Sequence, residues 1–341
     1  MGSQNFCSLS PDEQVEKLET LARKALDSWG LDHTELWLLK YRENCVFGVY
    51  EMETGTKYAL RIHRPGYHSD AALNSELKWM EALHAEGIPS PEVIHTSDQK
   101  LMVSVKVDEV PEPRVCDLLG WIEGGVLGNI EGGDTASADE VKANYRMAGQ
   151  IAARIHNQAE HWHLPDGFQR QIMDGEGLVG KSGYFGDFRT HPDLTLEQLN
   201  LLKNAADIVS RDLERFGKTP DKFGLTHADF LPENLLIKNN RVRIIDFDDC
   251  GFGWYMMDIA TALYFLRGEE SYDVAREGLI EGYRSERALP EEHLSMLPVC
   301  FMARVLAYVG WAVTRHETET AQELSAMLIE DATTQAEAYL K

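Results

Sequence analysis

The chain has 341 residues, 43% of them hydrophobic, with five cysteines and a net charge of -23 from 56 acidic and 33 basic side chains. That length and apolar content allow one large or two medium domains with buried cores. The charge excludes a binder of nucleic acid or of an anionic membrane, because phosphate would be repelled.

Residues 1–7 show neither a basic segment nor an apolar run, so no signal peptide is expected. No stretch is expected to reach the roughly 18 apolar residues of a membrane span. Ser10-Pro11-Asp12-Glu13 reads as an N-cap with Pro at the first helical position. It opens an amphipathic helix carrying Val15, Leu18, Leu21, Ala22 and Leu26 and ending near Gly30. Apolar runs at 36–39, 45–50 and 57–62, with a turn at Thr54-Gly55, predict three strands. A helix over 69–84 aligns Leu73, Leu77, Met80 and Leu83 and stops at Gly87. Strand signals return at 92–95, 101–107 and 115–119. Residues 1–123 therefore read as one domain, an open antiparallel sheet with one helix packed on it. Residues 124–341 read as a larger, mainly helical domain, and 124–138, rich in Gly, Asp and Ser, as a mobile connection. Cys7, Cys45, Cys116, Cys250 and Cys300 show no C-x-x-C spacing, so reduced cytoplasmic thiols are expected rather than zinc or disulfides.

The strongest chemical signal is His227-Ala228-Asp229-Phe230-Leu231-Pro232-Glu233-Asn234, followed by Ile245-Asp246-Phe247-Asp248. This order, H-x-D-x-x-x-x-N and then a later Asp, is that of the protein-kinase active site. There one Asp orients the attacking hydroxyl, while the Asn and the second Asp hold metal on the ATP phosphates. Phosphoryl transfer asks mainly for positioning and charge neutralisation, which these side chains supply. Between Asn234 and Asp246 lie two apolar runs joined by Asn239-Asn240. Asn tolerates positive φ, so a tight hairpin is predicted that brings Asn234 and Asp246 side by side.

Such a site also needs a cation on the third strand paired with a Glu on the next helix. Arg61 in Tyr58-Ala59-Leu60-Arg61-Ile62 and Glu76 fill these places, with Arg where protein kinases have Lys. The loop meant to cover the phosphates, 41–47, has no G-x-G-x-x-G, so backbone N–H groups and polar side chains such as Asn44 would have to serve. His156, among Ala148, Ile151, Ala152 and Ile155, reads as a packed core histidine, and His227 as a brace of the loop.

Glu43-Asn44-x-Val46-Phe47, Leu60-Arg61-Ile62-His63-Arg64-Pro65, Arg154-Ile155-His156, the His227 to Asn234 motif, Ile245 to Asp249 and Asp258 together resemble the aminoglycoside phosphotransferase and choline kinase superfamily. The layout is most similar to the bacterial stress response kinase A and homoserine kinase type II groups. The resemblance runs from about residue 35 to residue 316. It implies an α+β, two-lobed protein-kinase-like fold, with a small antiparallel-sheet N-lobe and a larger, mainly helical C-lobe. It also implies an ATP- and Mg2+-dependent phosphotransferase with Asp229 as catalytic residue and Asn234 and Asp246 as metal ligands. Asp248 and Asp249 would assist the metal or organise its loop. Adenine would be read by backbone groups near Trp121 and Ile122, in the stretch 119–124.

The expected acceptor is the hydroxyl of a small molecule that also carries an amine, with Arg267, Arg284, Arg287 and Arg304 leaving room for a zwitterion. A protein Ser/Thr kinase is the alternative, disfavoured because no D-F-G and A-P-E pair is present. A catalytically silent nucleotide-binding protein would have lost its acidic positions, whereas Asp229, Asn234 and Asp246 are all retained. A monomer or homodimer is expected, with no nucleic-acid or membrane partner.

Overall fold

The computed structural model describes residues 6–42, 44–127 and 137–341. Glu43 of the expected phosphate loop and 128–136, most of the expected mobile connection, lie outside the described residues, as do residues 1–5. The chain divides into two compact units, Met1–Glu123 with Pro165–Gln169, and Gly124–Leu164 with Arg170–Lys341.

In the first unit, helix α1 (Pro11–Leu26) starts where expected. The Ser10 side chain accepts the Glu13 N–H while the Glu13 carboxylate takes the Ser10 N–H, a capping box that satisfies two otherwise orphaned donors. Strands β1 (Thr34–Tyr41), β2 (Cys45–Glu51) and β3 (Lys57–Ile62), helix α2 (Asp70–Ala85) and strands β4 (Val93–Ile94), β5 (Val103–Val105) and β6 (Arg114–Gly120) follow. The sheet order is β1-β2-β3-β6-β4, with β5 also on β6, and every pairing is antiparallel. The expectation of one helix on this sheet is corrected, because α1 sends Leu18, Leu21 and Leu26 into the same core as Phe47, Leu60 and Leu118. Helix α2 buries Leu73, Leu77, Trp79 and Met80.

The second unit comprises β7 (Gly125–Val126), α3 (Ala138–His161), β8 (Ile172–Met173), α4 (Gly175–Val179), α5 (Leu196–Phe216), β9 (Phe223–Thr226), β10 (Leu235–Lys238), β11 (Arg241–Ile244), β12 (Gly251–Trp254) and α6 (Tyr255–Leu263). It continues with α7 (Tyr272–Glu286), α8 (Glu291–Leu294), α9 (Leu297–Thr314) and α10 (Glu319–Tyr339). The hairpin β10–β11 forms as predicted. Lys238 pairs with Arg241, and Asn239 and Asn240 take φ 53° and 55°, the left-handed pair that a two-residue turn requires. Its outer edge is covered by β7. The sheet β8-β12-β9 was not foreseen, because its strands are short and β12 holds two glycines, so no alternation is legible.

Residues Glu291–Thr314 are long and apolar enough to cross a membrane, which corrects the expectation that no stretch would be. Of its apolar 18-residue window 67% is buried inside the protein, where α9 packs on α5, α6 and α10 as a central core helix. Helices α3 and α7 approach unusually closely at glycines. A Cβ on Gly282 would lie 1.9 Å from the Arg146 carbonyl oxygen, and one on Gly149 2.0 Å from that of Leu279. In a free helix Gly→Ala gains about 1 kcal/mol. At this seam the sign should reverse, with Gly282→Ala lowering the unfolding free energy by about 1–3 kcal/mol through overpacking, as read by urea denaturation.

Candidate active site

The candidate site in the second unit is organised around one buried carboxylate. Asp258, the one charged residue of α6, is fully buried. Its Oδ2 accepts the His227 N–H at 3.0 Å and its Oδ1 the Ala228 N–H at 2.9 Å. The His156 Nε2 lies 3.0 Å from Oδ2, while His156 Nδ1 meets the Tyr283 hydroxyl at 2.9 Å. Burial acts to raise the Asp258 pKa, but its hydrogen bond and charge interaction with His156 and its interactions with His227 outweigh it and hold the group below its usual range. This grip keeps Ala228 at φ 66°, a conformation disfavoured for a side chain with Cβ. His227 is buried, and burial lowers its pKa. Its Nε2 meets the Ile245 carbonyl at 3.0 Å, bracing the loop against the residue before Asp246.

Asp229 therefore emerges from a loop fixed on both sides. Asn234 Nδ2 donates to its carbonyl oxygen and to its Oδ2, both at 2.9 Å, which orients the carboxylate and leaves the Asn234 amide oxygen as that side chain's acceptor. The hairpin returns the chain so that the Ile245 N–H reaches the Asn234 carbonyl at 3.0 Å, which sets Asp246 beside Asn234 as the spacing predicted. Asp246 sits at φ 66°. The pKa of Asp229 is pushed up to about 7, by burial first and then by Asp249, with Arg304 opposing and Asp246 and Glu233 adding to the rise. Anionic crowding of this kind suits a divalent cation, whose own charge would reverse the local field. An amide oxygen and carboxylates are the hard oxygen donors such an ion takes.

Residues that sequence reasoning missed hold the next segment. Arg170 Nε donates to the Cys250 carbonyl at 2.6 Å and its other arm to that of Asp248, while Gln171 donates to the Asp249 carbonyl at 2.7 Å. The Tyr184 hydroxyl donates to Asp249 Oδ1 at 2.9 Å. Arg304, the lone charge of the apolar α9, is buried and donates to the Ala228 carbonyl and the Thr261 hydroxyl. Each of the four arginines expected to leave room for a zwitterion's carboxylate also has a partner within the fold. Arg267 binds Asp331, Arg284 the Leu289 carbonyl and Glu291, Arg287 Asn157 and Glu160, and Arg304 the catalytic-loop candidate itself. Trp254, which ends β12, and Tyr255, Met256 and Met257, which open α6, are buried.

In the first unit, Arg61 and Glu76 meet as expected, with Arg61 NH1 2.7 Å from Glu76 Oε1. A second carboxylate, Asp117, was missed. It takes Arg61 Nε at 2.8 Å and NH2 at 2.9 Å, and its Oδ2 lies 2.6 Å from His63 Nε2. The legible signal was an Asp inside the apolar run of β6, where a buried charge requires a partner. Asn44 turns its side-chain carbonyl to the Arg64 N–H at 3.1 Å, tying the β1–β2 turn to the end of β3. In the stretch expected to read adenine, the Trp121 N–H donates to the Lys57 carbonyl at 3.3 Å, and the Trp121 ring packs 5.7 Å from Trp37. Ile122 follows the end of β6 with its side chain half-buried.

Residues 43–293 match the model of the phosphotransferase enzyme family. Amicoumacin kinase of Bacillus subtilis (strain 168) is 23% identical over 247 residues, 72% of this chain and 67% of that protein. Among solved structures, a microcompartment-associated aminopropanol kinase is 30% identical, with a TM-score of 0.81 over 94% of this chain and 97% of that one. The amicoumacin kinase hAmiN, solved with AMP-PNP, Ca2+ and Ami, is 18% identical, with a TM-score of 0.73 over 96% and 94% of the two chains.

Removing the organising carboxylate should unfix the loop. Asp258→Ala is expected to lower the unfolding free energy by about 3–5 kcal/mol, because two backbone donors and His156 lose a buried acceptor. A carboxylate held below its ordinary pKa stabilises only while ionised, so the gap to the parent chain should be full above about pH 4 and shrink below it. Urea denaturation at several pH values reads both effects, and unchanged stability would mean that the loop is held elsewhere.

Proposed function

The chain belongs to the phosphotransferase enzyme family, and on that premise we propose that it transfers the γ-phosphoryl group of ATP to a hydroxyl of a small, amine-bearing alcohol, with Mg2+. The observation that carries this reading is the oriented Asp229 carboxylate, held by Asn234 on a loop clamped by Asp258, with Asp246 returned beside it by the hairpin.

In this reading Asp229 accepts a hydrogen bond from the acceptor hydroxyl and aligns its oxygen on the γ-phosphorus, taking the proton as the P–O bond forms and ADP leaves. Asn234 and Asp246 are the side chains that would hold the metal, which when bound neutralises charge on the phosphates. Arg61, steadied by Glu76, meets the phosphates from the sheet. Asp249 and Glu233 surround Asp229 with negative charge, which favours an ammonium-bearing acceptor over a phosphorylated one. The likeness to an aminopropanol kinase supports the same class.

Asp229→Asn is expected to lower kcat by about two to four orders of magnitude with nucleotide affinity little changed, as for an interaction realised mainly in the transition state. Loss of nucleotide binding with normal residual turnover would contradict the assignment. Asp246→Ala should abolish metal-dependent ADP release. A screen of amino alcohols, aminoglycosides and protein acceptors at low and high salt tests the acceptor. Amines should lead and weaken with salt, whereas a preference for anionic or protein acceptors would overturn the reading.

A further inference from the structure

Arg61 lies on β3 directly opposite Asp117 on β6 in the antiparallel register, close enough for the two side chains to meet across the ladder. They meet through a fork, Nε to Oδ1 at 2.8 Å and NH2 to Oδ2 at 2.9 Å, which aligns the guanidinium with the carboxylate. The third nitrogen, NH1, reaches Glu76 on α2 at 2.7 Å. Asp117 is itself steadied by His63, the residue just beyond the end of β3, at 2.6 Å from Oδ2. All four side chains are buried, with 6% of Arg61, 4% of His63 and none of Glu76 or Asp117 exposed.

Glu76 takes one nitrogen of the guanidinium, and Asp117 takes the other two with His63 against it. Burying a second carboxylate is costly unless it does something that the first cannot. What it adds is orientation, because a side-on fork fixes the plane of a guanidinium where a single bond leaves it free to rotate. A lysine ammonium, a rotating point charge, could not be held this way.

We propose that Asp117 is a positioning residue for the nucleotide. Its fork sets the plane in which Arg61 is presented to the ATP phosphates, and it is the reason that an arginine serves at this position. This rests on the assignment of Arg61 to the phosphates under the proposed function. Asp117 is fully buried behind its fork to Arg61, so its effect on the nucleotide is transmitted through the guanidinium.

The test is equilibrium titration of the full chain with a fluorescent ATP analogue and Mg2+, without acceptor, joined to steady-state kinetics with ATP varied and to thermal melting. Asp117→Asn, melting as a folded protein, should weaken nucleotide binding by about tenfold or more, the loss falling on KM for ATP more than on kcat. Arg61→Lys should weaken it comparably, and Arg61→Lys with Asp117→Asn should be no worse than Arg61→Lys alone, since lysine cannot use the fork. Folded Asp117→Asn with affinity within about twofold of the parent, or losses that add in the double variant, would overturn the proposal. Should Asp117→Asn fail to fold, His63→Gln loosens Asp117 without removing it. A several-fold weaker affinity is then expected, and an unchanged one counts against the proposal. The titration uses no acceptor, so an error in the acceptor class leaves it intact, whereas absence of nucleotide binding by the parent chain would remove the premise itself.

Discussion

Two backbone N–H groups, those of His227 and Ala228, point into one buried carboxylate, and the placement of the other candidate groups follows from that capture. Ala228 at φ 66° would be a strained residue in isolation, by about 1–3 kcal/mol. With Asp258 behind it, this conformation satisfies both buried donors. Asp229 then leaves the loop in a fixed direction, Asn234 closes back on it, and Arg304 reaches the Ala228 carbonyl from α9. Helices α6 and α9 thus converge on His227 and Ala228 through Asp258 and Arg304, with His156 of α3 held between Asp258 and Tyr283 of α7.

The two units solve opposite electrostatic problems. In the first, a cation is enclosed by anions, and Arg61 with His63 faces Asp117 and Glu76 away from water. Asp117 answers to burial, which raises its pKa, and to Arg61 and His63, which prevail and bring it down to about 2. In the second, carboxylates gather around Asp229 with Arg304 as the opposing charge, and Asp229 moves upward instead. The sign of each shift follows from the company each carboxylate keeps, since all are carboxylates of one intrinsic acidity. A cluster of carboxylates that raises Asp229 is suited to a divalent ion, and a caged guanidinium is poised to be presented in one orientation.

Much of the local architecture was legible along the chain because it is written at short range. Ser10 and Glu13 are three residues apart, and their reciprocal cap needs nothing beyond the first turn of α1. Asn239-Asn240 specifies a left-handed pair, so the hairpin and the pairing of Asn234 with Asp246 could be read from spacing alone. Less could be read where strands were two to four residues long, as in the sheet β8-β12-β9, or where an apolar helix could serve a core or a membrane, as with α9. Composition is the same in both settings, and only the neighbours decide between them.

The residue types for phosphoryl transfer, their order and the turn between them were determined by the sequence itself, because spacing on one hairpin and one loop needs no other part of the molecule. Which distant partners hold those residues was decided by tertiary structure. Asp117 stands 56 residues from Arg61, Asp258 30 residues from Ala228, and Arg304 76 residues from the same loop. In the sequence each is a solitary charge in an apolar run, and such a charge announces that it must be paired without saying with what. The pairing is a matter of sheet register and helix packing, which bring together groups that the chain keeps far apart.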